Sequence, residues 1–240
     1  MRATPSNLKA KVLRVHQLLL DYYGEPTLKD RHDPLSELVM TILSQNTSDT
    51  NSSRAYASLR RCFPTWEDVL NASTAAVSQA IRIGGLANIK APRIQGILQR
   101  LRDERGDLDL SFLDDMPVDE ARRYLTRLPG VGHKTAACVL LFSLRKPALP
   151  VDTHVHRVAR RLGLIRDKAT PRRANIILEE LLPEEMYYPF HLNMIRHGRT
   201  LCRAASPQCT PCPLVQDCAY VHTRGVAAIQ LRESTESGLS

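Results

Sequence analysis

Apolar residues recur at helical spacing in almost every segment of this sequence, and alternating strand patterns bounded by hairpin turns are nearly absent, so the chain specifies an all-α fold. From Asn7 to about Tyr23, Leu8, Val12, Val15, Leu18, Leu19 and Tyr22 share one face, and Gly24 with Pro26 ends the helix. Asp33 has the character of an N-cap, with Pro34 at the first helical position and Leu35, Leu38, Val39 and Ile42 on one apolar side. The polar run Ser44 to Ser53 follows, either a long capped turn or a polar rim turned toward a nucleic-acid groove. Thr65 to Asp68 reads as a capping box opening a short helix, and Ser73 as the cap of the next, from Ala75 to Ile83. Gly84 and Gly85 break that helix, leaving Leu86 as an exposed wedge or as ordinary core. Residues 88–102 then read as a helix with Ile89, Ile94, Ile97, Leu98 and Leu101 apolar and Lys90, Arg93, Arg100 and Arg102 basic. Further helices are expected from Pro117, over 154–162, over 174–182 and from Tyr187 to Arg196.

A chain of 240 residues can hold one large domain or two modest ones, and 43% apolar residues exclude general disorder. Lys plus Arg exceed Asp plus Glu by 33 − 25 = 8, which points to a polyanionic partner or to a basic surface. Arginine pairs at 60–61, 122–123, 160–161 and 172–173 each read as a solvated helix face. The first twenty residues lack the apolar core of a secretory signal, and no stretch approaches the ~18 apolar residues of a membrane span. A soluble, cytoplasmic monomer is expected, with a mobile polar end at 232–240.

The stretch from Leu128 to Asp152 carries the chemistry. In LPGVGHK, Gly130 and Gly132 permit backbone conformations that side chains forbid, and the apolar run after Lys134 reads as a helix. A tight turn feeding a helix N-terminus suits a DNA phosphate and disfavours a protonated lysine there. A helix of about 11 residues climbs ~16 Å, while the seven residues 145–151 can stretch ~23 Å, so the chain is long enough to return Asp152 toward Lys134. Taken singly, Asp152 reads as a helix cap and Lys134 as a phosphate contact. Taken together they read as a nucleophilic amine and a carboxylate partner, able to form a Schiff base with a sugar carbon.

Four of the six cysteines crowd into LCRAASPQCTPCPLVQDC, as Cys202, Cys209, Cys212 and Cys218 with spacing C-x6-C-x2-C-x5-C. Four thiolates can close a tetrahedral zinc site or hold a [4Fe–4S] cluster. A single C-x2-C flanked by wider gaps favours iron–sulfur over a zinc ribbon. Cys62 and Cys138 lie in apolar helical settings and read as buried thiols.

With these parts in order, LPGVGHKTA, VDTHVHRVARRLGL, HGRTLC and the cysteine spacing, the chain resembles the endonuclease III family of helix-hairpin-helix DNA glycosylases from about residue 8 to residue 218. The resemblance implies two helical domains flanking a DNA-binding cleft: a six-helix barrel over 33–146 carrying the hairpin, and a second domain from 1–32 plus 147–240 around a [4Fe–4S] cluster held by Cys202, Cys209, Cys212 and Cys218. It implies Lys134 and Asp152 as catalytic residues, and Gly130, Gly132, His133, Asn46, Leu86, His154 and Arg199 as DNA-binding residues. The implied partner is double-stranded DNA containing damaged pyrimidines or abasic sites, and the implied place is the cytoplasm, nucleoid-associated when on DNA. Leu86 corresponds to the intercalating wedge, and LSQNTSD to the segment that fills the space of the flipped nucleotide.

The sequence departs from that pattern at Asn46, where glutamine is common, and in the loop RAASPQ between Cys202 and Cys209, which retains only Arg203 as a base. Each missing phosphate contact should flatten the salt dependence of DNA binding by about 0.9 in log–log slope, shifting weight to Arg199 and the hairpin. The resulting expectation is a bifunctional glycosylase and abasic-site lyase acting on oxidised pyrimidines. Two other readings compete with it: a monofunctional mismatch or uracil glycosylase, and a catalytically weak helix-hairpin-helix DNA-binding protein.

Overall fold

The computed structural model describes residues 5–27, 31 and 33–224. Every regular element among them is helical. No helix among them is long and apolar enough to cross a membrane. The polar end at 232–240 lies outside the described residues. Contacts divide the chain into two compact units, one from residues 1–29 and 149–240, the other from residues 30–148.

The 30–148 unit is built around α2 (Pro34–Leu43), in which Leu35, Leu38, Val39, Ile42 and Leu43 are all buried. Asp33 caps it as expected, accepting a 2.9 Å hydrogen bond from the Ser36 amide. α3 (Asp49–Cys62), α6 (Ala87–Arg105) and α8 (His133–Cys138) pack against α2. Their buried leucines, isoleucines and valines form one continuous apolar core. α4 (Trp66–Asn71) opens with the expected capping box: the Thr65 hydroxyl accepts from the Asp68 amide and Asp68 accepts from the Thr65 amide. Ser73 caps α5 (Thr74–Ala80), and α7 (Val118–Thr126) leads to the hairpin.

Two readings change here. The polar run after α2 is not one long turn, because Ser48 caps α3 and the run from Asp49 is helical, with only Ser52, Ala55 and Leu59 buried. Three inward residues suffice to dock a helix whose other faces meet water, and so sparse a stripe hides the period. Cys62, the last residue of α3, is exposed rather than buried, whereas Cys138 is buried.

In the other unit, α1 (Pro5–Tyr23) packs on α11 (Tyr187–Thr200) and α10 (Pro171–Leu181), while α9 (Thr153–Leu162) packs on α11 and on α12 (Ala219–Arg224). The segment entering α9 is fastened by side chains of its own unit. The Leu149 amide donates to Glu179, the Asn175 amide group donates to the Leu149 carbonyl, and His191 Nδ1 lies 2.8 Å from the Pro150 carbonyl oxygen. Asn175 and His191 are buried, so these bonds act where water does not compete.

Candidate active site and candidate metal centre

The hairpin of the 30–148 unit runs from α7 through LPGVG into α8. Leu128 and Val131 are buried, whereas Pro129, Gly130 and Gly132 are exposed. Two apolar anchors therefore hold the turn while its backbone faces outward. Gly130 adopts φ +73°, and a Cβ there would come within 2.7 Å of Arg93 Cδ. Gly132 is extended at φ −94°, ψ 178°, and a Cβ there would meet nothing within 4 Å. Of the two glycines, only Gly130 uses the conformational freedom that the sequence offers at both. Gly130→Ala should therefore cost about 1–2 kcal/mol of stability, and Gly132→Ala within about 0.5 kcal/mol, in urea titrations. Any loss of DNA binding by Gly132→Ala would then report the approach of a phosphate rather than damage to the free turn.

No side chain caps the first turn of α8. His133 and Lys134 are its first two residues and both are half-buried, while Thr135 is buried. α8 continues into a π turn over Val139–Ser143, an irregularity concentrated at functional segments. Gln45 Nε2 donates across 3.4 Å to Thr135 Oγ1, tying the polar turn after α2 to the helix that bears Lys134. Asn46, the next residue, is exposed and left-handed at φ 54°, a conformation asparagine tolerates better than most residues. Leu86 is also left-handed, at φ 51°, and is 47% exposed. This settles its alternative readings in favour of exposure. Ile89, one of the apolar residues of its helix, is likewise 47% exposed, and Ile83 joins them at the surface.

Lys90 departs from the sequence expectation. Grouped with Arg93, Arg100 and Arg102 as a basic residue of its helix, it is 1% exposed, and its ammonium donates to the carbonyls of Leu43 at 2.7 Å and Gly84 at 2.9 Å. Burial lowers its pKa from the ordinary lysine value. Helical periodicity alone puts Lys90 in register with buried Ala91, Ile94 and Ile97, but a lysine in that register is usually a surface residue.

In the unit formed by both chain ends, Asp152 caps α9, its carboxylate accepting a 2.7 Å bond from the Val155 amide. His154 is half-buried, with Nδ1 3.1 Å from an Arg157 guanidinium nitrogen. Arg199 is exposed near the end of α11. Arg203 is exposed and spends its Nε–H on the Thr200 carbonyl.

Cys202, Cys209, Cys212 and Cys218 all line one cavity of about 20 Å³, together with Val158, Leu162, Leu201, Leu214 and Val221. Burial pushes the Cys212 thiol up to about 12 and raises Cys209 and Cys218, so these sulfurs ionise readily only with a cation beside them. Among the described residues no three His, Cys, Asp or Glu side chains gather closely enough to hold a single metal ion. Four cysteine sulfurs lining one apolar cavity are a donor set suited to a thiolate-held metal group.

Arg161, read as part of a solvated pair, instead holds this loop: its guanidinium donates to the carbonyls of Arg203 at 2.7 Å and Ala204 at 2.9 Å, contacts Cys202 Sγ at 3.3 Å and covers the Tyr220 ring. His197 is 1% exposed, with Nε2 3.6 Å from Cys212 Sγ and Nδ1 3.1 Å from the Tyr23 hydroxyl. Burial brings its pKa down to about 4, so the ring is neutral at pH 7.

Several known proteins are similar to this chain over most of its length. A provisionally named DNA glycosylase of Arabidopsis thaliana is 41% identical over 229 residues, covering 88% of this chain and 77% of its own. Endonuclease III of Thermotoga maritima is 34% identical over 200 residues, covering 83% and 89%. A non-covalent endonuclease III–DNA complex and a trapped endonuclease III–DNA covalent intermediate each superpose with a TM-score of 0.78 at 30% identity, over 90% of this chain and 97% and 98% of theirs. The family model for the HhH-GPD superfamily of base excision DNA repair proteins matches residues 39–184, well over half of the sequence, and the chain belongs to that superfamily, alongside endonuclease III.

Proposed function

We propose that this protein is a bifunctional DNA glycosylase and abasic-site lyase that removes oxidised pyrimidines from duplex DNA. The observation that carries the reading is Lys134, the second residue of a helix that follows an outward-facing glycine turn. A helix-hairpin-helix that only bound DNA would need the turn and the basic surface, but no amine at that position.

In this reading the turn at Gly130 and Gly132, with His133, meets a phosphate, and Arg199 and His154 add contacts from the other unit. Leu86 enters the duplex and Asn46 occupies the space left by the extruded nucleotide, whose unstacking is least costly when the base is already damaged. Lys134 Nζ, as the free amine, bonds to C1′ as the glycosidic bond breaks, the base leaving with the bonding pair and gaining a proton. The Asp152 carboxylate balances the positive charge that develops on the sugar and accepts the proton that the attached amine sheds. Opening of the C1′–O4′ bond with protonation of O4′ gives the imine. Loss of a C2′ proton and departure of the 3′ phosphate then cut the strand.

Cys202, Cys209, Cys212 and Cys218 would hold a [4Fe–4S] cluster, which supplies four metal–sulfur bonds closing the 202–218 loop and a redox-capable centre. The anaerobically purified protein should be brown with about four irons per chain. Cys212→Ala should lower that iron content and the thermal midpoint together, while a colourless zinc protein would contradict the assignment.

The reading is tested with duplexes containing thymine glycol, uracil opposite guanine, or an abasic site. Strand cleavage at thymine glycol and at the abasic site is the expected outcome. Excision of uracil that leaves an intact abasic strand would favour the monofunctional alternative.

A further inference from the structure

Lys90 is among the bulkiest fully buried side chains of the described residues, and among those residues no carboxylate pairs with it. Burying an ammonium without a counter-charge is costly, and apolar residues of similar volume often serve stability as well or better. Its surroundings show what the charge does in exchange. Leu43 is the last residue of α2, where carbonyls lack partners along the helix and the macrodipole is negative. Gly84 closes the 3-10 turn Arg82–Gly84, which is pressed onto α3 so closely that a Cβ at Gly84 would lie 2.9 Å from the Ala55 methyl. Three residues beyond Leu43 stands Asn46, and two beyond Gly84 stands Leu86. Both are exposed and both are held in the left-handed region.

We infer that Lys90 is a positioning residue for lesion extrusion: its buried ammonium fastens the Asn46 turn and the Leu86 turn to one another, so that gap-filler and wedge enter the duplex as one rigid unit. The inference rests on the roles given above to Asn46 and Leu86 and adds the element that couples them. Two turns anchored separately would each have to be ordered when DNA binds, whereas a shared anchor orders both beforehand. Lys90 touches neither base nor sugar in this account. It acts only through the backbone on either side of it.

The test compares Lys90→Met with the wild type, with Leu86→Ala and Asn46→Ala, and with each double variant. Readouts are single-turnover excision from duplex DNA, fluorescence of 2-aminopurine opposite the lesion as a report of unstacking, and the thermal midpoint. Lys90→Met should slow excision by roughly 10- to 100-fold and abolish the fluorescence rise. Combined with Leu86→Ala it should be no slower than Leu86→Ala alone, because the two changes remove one function. Lys90→Gln, which keeps an N–H donor, should recover part of the fluorescence rise, and it carries the comparison should Lys90→Met fail to fold.

A lowered midpoint with unchanged fluorescence, or effects that multiply independently, would reduce Lys90 to a core cap and overturn the inference. Full-rate excision and an intact fluorescence rise in both Leu86→Ala and Asn46→Ala would remove the wedge reading itself, and the inference with it. Absence of all excision by the wild type would instead mark a failure of the proposed function.

Discussion

Replacing Asp152 by asparagine should slow base excision from duplex DNA by roughly 10²- to 10⁴-fold while leaving DNA affinity nearly unchanged. The substitution isolates one property of the side chain. Asp152 accepts the Val155 amide at 2.7 Å and so starts α9, and asparagine is as good an N-cap as aspartate. The cap therefore survives and only the negative charge goes. Alanine removes both, and should add about 1 kcal/mol of lost stability to the same catalytic defect. The backbone entering Asp152 is fixed independently, by Glu179 and Asn175 on Leu149 and by His191 beside the Pro150 carbonyl, so the variant should not displace position 152. If Asp152→Asn lost DNA binding as well, the carboxylate would have to be credited with organising the binding surface, and its catalytic role would fall.

What the sequence disclosed and what it hid follow from the range of the interactions involved. Asp33 with Pro34, the Thr65–Asp68 box and Ser73 were legible because a cap is settled within three residues. Leu86 was legible as a candidate because two glycines isolate it, although only the structure shows that it is exposed rather than core. Lys90 was not legible, since its burial depends on a carbonyl 47 residues away at Leu43. Arg161 was hidden for the same reason: its acceptors lie about forty residues later, at Cys202, Arg203 and Ala204. α3 was hidden because its polar composition suits a turn as well as a helix docked by three small or apolar residues. The hairpin glycines differ because sequence marks where positive φ is permitted, and only the fold reveals that Gly130 uses it while Gly132 does not.

The largest effect belongs to Lys134. No other residue in the account is asked to form a covalent bond with the sugar, so Lys134→Ala should remove the lyase step outright, whereas changes at Leu86, Asn46 or Lys90 only make the sugar harder to reach. Lys134→Gln, which keeps most of the side chain's length and loses its basic nitrogen, should be equally inactive in strand cleavage. Both variants should still bind duplex DNA, because the turn is anchored by Leu128 and Val131 and not by the lysine.

The most direct test is borohydride reduction during reaction with duplexes containing thymine glycol or an abasic site. The imine predicted at Lys134 would be reduced to a stable amine, giving a covalent protein–DNA adduct with the wild type and none with Lys134→Ala. An undiminished adduct in Lys134→Ala would place the nucleophile on another amine. Strand cleavage by the wild type without any adduct would contradict Schiff-base chemistry altogether.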